Sequence, residues 1–392
     1  KIIFCSFFSE SKVFLKYINF NNAGCSKPYP LVNNEVNNFL EKENKYGGYF
    51  AVEKFKKKID SFYLNLSRLI NCESSEISFL TSTTLAWNLF FNSINILKNE
   101  NIIILDNEYG SNLIFFRNNN LNIKVVKTSK DGQVCFKDLK KKINANTKFV
   151  CVCHIASQCG DVIDIEKIGN FIKKTNSKIL YVVDACQSIG HININVKKIN
   201  CDVLVGSGRK YLRGPRGTGF IYVKKKLQSK LKPLILDLKN SFIHKNKVKI
   251  KEKRIFENFE YSPALKLGLN KAVEKINLLK INKIESNIKN KSLYLRKKLN
   301  QFNEIFFFEK ENCISGINTI KIKGISSLKI YKYLLSKKIL TSVCNKKVSD
   351  IYFEKYNIDD VLRISIHDYN KKIEIDYLIK CLIDLIKKKA II

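Results

Sequence analysis

The chain has 392 residues, 45% of them hydrophobic and 27% charged, a globular balance with material for a large core. No uninterrupted apolar run approaches the length needed to span a bilayer, so an integral membrane helix is excluded. The formal net charge of +35 raises nucleic acid or an anionic membrane as partners. However, lysine is spread along the whole chain beside abundant asparagine, isoleucine and phenylalanine, which reads as a generally basic solvated surface.

In chain order, "LTSTTLAWN" sets Thr83 and Thr84 before a helical pattern, with an N-cap signal. Short apolar runs then read as buried strands: "NIIIL" (101–105), "KFVCVC" (148–153), "ILYVVDA" (179–185), "DVLVGS" (202–207) and "GFIYV" (219–223). Amphipathic stretches at 133–143 and 160–176 lie between them, and this alternation predicts a parallel or mixed sheet covered by helices. From residue 264 the texture changes to one long helical pattern, then "GINTIKIKG" as a strand and "SSLKIYKYLLSKK" as a helix. "VLRISIHDY" follows as a strand and "KIEIDYLIKCLIDLIKK" as a final helix. The expected fold is therefore α/β. It has a large domain (20–263) with a mixed, mostly parallel sheet, and a smaller α+β domain formed by 1–19 and 264–392.

Twelve cysteines are present without CxxC spacing, and four histidines form no ligand cluster with them, so neither zinc nor a disulfide framework is expected. Scattered cysteines read as small buried hydrophobes in a reducing cytoplasm. The opening "KIIFCSFFSE" is too short for a signal peptide, although the lack of any methionine leaves room for a removed leader.

Arginine is scarce: eight against a lysine-dominated total of 70 basic residues, and three of the eight fall in "SGRKYLRGPRGTG" (207–219). A guanidinium grips carboxylate or phosphate bidentately where an ammonium cannot, so the cluster marks a site that needs that geometry. Ligands collect outside the carboxyl ends of strands in open α/β sheets. Asp184 ends one apolar run, with Gln187 just after it in "DACQSIGH". Ser207, Gly208, Arg209 and Lys210 end the next. An Asp–Lys pair is often a structural salt bridge. Here the hydroxyl, glycine and arginine neighbours suit a phosphate, and acid, amine and phosphate cradle together describe a pyridoxal phosphate site.

"DACQSIGH" and "GSGRKYLRGPRGTGF", with "INFNNAG" (18–24) and "VLRISIHDYNKKIEID" (361–376), resemble the class V aminotransferase family over residues 19–378. That family includes cysteine desulfurases, selenocysteine lyases, epimerase-like proteins and the C–S lyase of ergothioneine synthesis. The resemblance implies an aspartate aminotransferase-like fold, pyridoxal 5'-phosphate as cofactor, an amino acid as substrate and a homodimer. It makes Lys210 the Schiff-base lysine, Asp184 the partner of the pyridine nitrogen and Gln187 the partner of the phenolic oxygen. His154 is matched to the histidine stacked on the ring. Thr83, Thr84, Ser207 and Arg209 would hold the phosphate, and Arg363 the substrate carboxylate. Arg213 and Arg216 are expected to brace the loop, with a place at the dimer interface as the alternative.

The expected reaction is C–S cleavage by β-elimination at an amino acid, with cysteine desulfurase or aminotransferase as alternatives. A desulfurase would need a nucleophilic cysteine on a mobile loop. Cys344 lies in the right region, but "KKILTSVC" alternates like a strand. One departure concerns the family's "FE-x-G-T" threonine, which reaches the partner's phosphate: the corresponding "RIFENFE" (254–260) has no hydroxyl there. The rival outside enzymology is a basic RNA-binding protein on the same fold.

Overall fold

The five apolar runs become five adjacent strands of one sheet in a computed structural model that describes residues 16–129, 131–311 and 314–389. The opening decapeptide lies outside the described residues. Strand β1 (Ile18–Asn19) is followed by helices α1 (Pro30–Tyr46) and α2 (Gly48–Ile70). Next come β2 (Ile77–Leu80), α3 (Thr83–Asn92), β3 (Asn101–Leu105), α4 (Gly110–Asn118) and β4 (Asn122–Val126). The alternation continues through α5 (Phe136–Lys142), β5 (Thr147–Cys153), α6 (Ile165–Thr175), β6 (Leu180–Asp184) and α7 (Val196–Ile199). Strands β7 (Val203–Ser207) and β8 (Gly219–Val223) complete the sheet, in the order β2-β8-β7-β6-β5-β3-β4. All neighbours pair in parallel except β8, which runs antiparallel to both β2 and β7.

Strand alternation divides the core between the two faces of this sheet. On β5, Val150 and Val152 pack into one cluster while Phe149 and Cys151 pack into the other. All four are fully buried, and each large apolar side chain removed from water contributes about 1.5–3 kcal/mol. Covering both faces explains why these strands read as continuous apolar runs.

A short helix α8 (Lys225–Gln228) leads to a hairpin of β9 (Ser241–His244) and β10 (Lys247–Ile250). The long pattern beginning at 264 is two helices, α9 (Pro263–Leu279) and α10 (Ile281–Leu299), broken at Lys280, whose φ is 63°. The expectation of one helix fails because the two halves serve different neighbours. Helix α9 packs on α1 and α2, whereas α10 packs on α13 (Lys372–Lys389).

The C-terminal part is a four-stranded antiparallel sheet, ordered β11-β12-β15-β14. It comprises β11 (Ile305–Phe307), β12 (Ile317–Ile322), β14 (Ser342–Asn345) and β15 (Asp360–Ser365), with α11 (Ser327–Ser336), β13 (Ile339–Leu340) and α12 (Asp350–Lys355) between them. Strand β1 pairs in parallel with β13, and the Asn21 bridge to Ser365 continues the contact. The chain's first described segment is therefore tied to its last third. Among the described residues no helix is long and apolar enough to cross a membrane.

Candidate active site

Parallel strands that end together deliver their next residues to a common edge. The carboxyl ends of β2, β5, β6 and β7 line a cavity of 330 Å³. Asp184 ends β6 and pairs in register with Cys153 of β5, so both side chains leave the same face into it. Ser207 ends β7, and Arg209 and Lys210 follow on the same wall. Thr83 and Thr84 open α3 on the opposite side, and Gln187 completes the floor. The acid and the amine thus face one hollow.

The Asp184 carboxylate is held rigidly. Its Oδ1 accepts the Cys186 amide at 2.8 Å and its Oδ2 accepts Asn112 Nδ2 at 3.0 Å. Asn112 also donates to Glu108 Oε1 at 2.9 Å, so its amide bridges two carboxyl groups. Burial pushes the Glu108 carboxyl up, and burial likewise pushes the Cys153 thiol far above its ordinary range, with Glu108 adding to the effect.

At the other end, Ser82 caps α3 by accepting from the Leu85 amide, while the earlier amides of the turn have no intrahelical acceptor. That turn, the Ser207 hydroxyl and Arg209 make a donor set suited to an anion. Gly208 is required for closeness: a Cβ there would lie 2.1 Å from Thr218 Oγ1. The Arg209 guanidinium reaches the Gly24 carbonyl while lining the cavity. Arg213 is a brace. It adopts a left-handed φ of 59°, donates to the Lys27 carbonyl at 2.8 Å and stacks on Tyr29 and Tyr369. Arg216, expected to brace as well, is instead exposed on the cavity wall beside Gly217 and Thr218.

Two expected residues are not on that wall. His154 comes directly after the last residue of β5, between the cavity-lining Cys153 and Ile155, and does not itself line the cavity. Burial lowers it to about 3, and its Nδ1 has no partner. The aromatic side chain on the cavity wall is Tyr109, in the turn after β3. The strand alternation carried the signal, because a residue next to a cavity-facing cysteine points away. Arg363 stands behind the wall. It donates to the carbonyl of Ser157, which does line the cavity, at 3.2 Å, and to Asn21 Oδ1 at 3.1 Å; its Nε is buried without a partner.

Cys344 lies on β14 and is 1% exposed, packed among Ala156, Cys159, Tyr352, Phe353 and Val361. It is a strand cysteine and not a loop cysteine. Glu108, Tyr109 and Asn112 had no motif of their own in the sequence; "DNEYGSN" reads as an ordinary turn.

Residues 18–378 match the family described as Aminotransferase class-V. The chain belongs to the class V aminotransferase family. Among relatives of this class V protein, a probable cysteine desulfurase of Borreliella burgdorferi is 33% identical, over 95% of this chain and 93% of that one. A putative cysteine desulfurase of Plasmodium berghei is 30% identical, over 90% of this chain and 69% of that one. The apo structure of cysteine desulfurase from Thermococcus onnurineus NA1 superposes with a TM-score of 0.87 at 22% identity, covering 95% of each chain. The cystine C–S lyase C-DES in complex with its product cysteine persulfide superposes with a TM-score of 0.83 at 16% identity, over 94% of this chain and 98% of that one. These superpositions establish the fold, a mixed sheet with a separate small C-terminal sheet.

Proposed function

We propose that the protein is a pyridoxal phosphate-dependent enzyme that breaks the C–S bond of cysteine or a cysteine derivative. The observation that carries this is the placement of Asp184 and Lys210 on the wall of one cavity, with an anion-binding helix terminus at its end. The names borne by the relatives agree with it. The residues present fit the cofactor. Gln187 Oε1 is buried at the cavity without a partner, and the donor set at α3 and Ser207 matches a phosphate.

When bound, the cofactor supplies an electron sink for charge developing at the substrate Cα. Asp184 would hold a proton on the ring nitrogen, fixed for that task by Cys186 and Asn112. Thr83, Thr84, Ser207 and Arg209 would hold the phosphate, joined by Arg216, and Tyr109 would offer its ring to the cofactor in place of His154. The Lys210 amine would attach the cofactor and, once displaced by the substrate amine, take the Cα proton as general base. Arg363 would act on the substrate carboxylate with the Ser157 segment that it holds.

Sulfur release by elimination is favoured over transfer to Cys344, because that thiol is packed in β14 and would have to leave the sheet to meet a substrate. The division at about residue 264, a cytoplasmic setting and a homodimer complete the proposal.

The test is reconstitution of the full chain with pyridoxal phosphate. A visible absorbance band is expected, lost in Lys210→Ala. Cysteine should then yield sulfide by elimination, and Cys344→Ala should keep that yield. Loss of sulfur release in Cys344→Ala would establish the desulfurase route through that residue. Salt-sensitive RNA binding without the band would favour the non-enzymatic rival.

A further inference from the structure

Behind Asp184 sits a second acid that the chemistry above does not use. Glu108 follows β3 and is 1% exposed. Its Oε1 accepts three donors: the Tyr109 amide at 2.9 Å, Asn112 Nδ2 at 2.9 Å and Cys153 Sγ at 3.0 Å. Its Oε2 is buried and accepts nothing. No lysine or arginine forms an ion pair with it among the described residues. Its titratable neighbours include Cys151 and Cys153 from β5 and Asp184 from β6, none of which can neutralise an anion.

Two ionised carboxylates joined by one amide in a dry pocket repel each other, and one of such a pair keeps its proton. The choice between them follows from their surroundings. Asp184 has a donor on each oxygen and lies on the open cavity whose wall also carries Lys210. Glu108 has every donor on one oxygen and no cation. An O–H at Oε2 without an acceptor forgoes one hydrogen bond, which costs about 1–3 kcal/mol. A charge on the same oxygen would be an unpaired buried anion, which costs more.

We propose that Glu108 is a neutral carboxylic acid that positions Asp184 through Asn112. It acts on the reaction through that amide: it fixes both N–H directions of Asn112, so that one points at Asp184 Oδ2. The negative charge of the pocket then belongs to Asp184, where the cofactor's ring nitrogen would meet it. The upward push of burial on Glu108 is in the same sense. This inference rests on the cofactor reading for its consequence, but not for the protonation of Glu108 itself.

Glutamine at 108 is the decisive substitution, because its carbonyl can accept the same three donors and it carries no charge. The infrared spectrum of the cofactor-free full chain at pH 7 should show a protonated carboxyl stretch that Glu108→Gln removes. After reconstitution, Glu108→Gln should leave the pH midpoint of the visible band unmoved. Glu108→Ala should weaken cofactor affinity about tenfold, the size of one lost hydrogen bond to a charged group. Asn112→Ala, which keeps Glu108 and removes only the bridge, should weaken it to the same degree, and guards against a folding failure in Glu108→Ala.

The proposal is overturned if the stretch is missing, or if Glu108→Gln moves the midpoint by about one pH unit, as removal of a nearby charge would. It is equally overturned if Asn112→Ala binds cofactor like the wild type. A wild-type chain that shows the stretch but no visible band would sink the cofactor reading and leave the protonation of Glu108 standing.

Discussion

Glu108 and Glu257 are both glutamates withdrawn from water at this sheet, yet their surroundings are opposite in sign. Glu257 receives the Tyr63 hydroxyl at 2.8 and 2.7 Å on its two oxygens, and the Phe79 amide at 2.8 Å. Lys239 and Lys266 each stand 4.0 Å from it, and the Arg254 guanidinium lies over the Tyr63 ring. Glu108 has hydrogen bonds and, among the described residues, no ion pair. The same residue type therefore serves as an electrostatic anchor at one place and as a neutral polar wedge at the other. Burial alone decides neither role; the charges that share the pocket do.

The largest effect should come from breaking the anchored site. Glu257→Ala leaves Lys266 buried without its counter-charge and should lower stability by about 3–5 kcal/mol in urea unfolding. Glu108→Gln should leave the urea midpoint near wild type. Equal losses in the two variants would erase the contrast between the two sites.

Next in size is a pH effect carried by Lys266, which burial lowers from 10.5 to about 8 against the opposing pull of Glu257. In the window between these values the unfolded chain binds a proton that the folded chain does not. Stability is therefore penalised fully below about pH 8 and recovers as pH rises towards 10.5. Lys266→Met should lack this recovery, so the urea midpoints of wild type and variant should converge or cross between pH 7 and 10. Parallel curves would show that Lys266 is not the titrating group.

The smallest expected change is at Cys153. Replacing it with alanine removes one of three donors from Glu108 Oε1 and should cost about 1 kcal/mol, read from the same urea curves, with the visible band retained. A loss as large as that of Glu257→Ala would mean that Glu108 depends on the thiol far more than on Asn112.

Much of the framework could be read from the residues. The five apolar runs matched β3 and β5–β8 because a doubly covered sheet has no polar alternation to disguise it. The scarcity of arginine drew attention to 207–219, and the structure divides that cluster into a cavity arginine, a brace and an exposed wall residue. His154 shows the limit. The family resemblance matched it to a ring-stacking histidine, but it is not among the residues lining the cavity, whose wall carries Tyr109 from the turn after β3. The long helical pattern from 264 is broken at Lys280 because helical periodicity does not register which neighbouring helices each half must pack on.

Periodicity, glycine placement and the rarity of arginine were enough to define an α/β chain with an acid and an amine at successive strand ends, since those properties depend on neighbours along the chain. The partnership of Glu108, Asn112, Cys153 and Asp184, and the withdrawal of Cys344 into β14, depend on residues far apart in the chain. Charge state and accessibility are set by what lies across the pocket, and only the folded chain brings those groups within a few ångströms of one another.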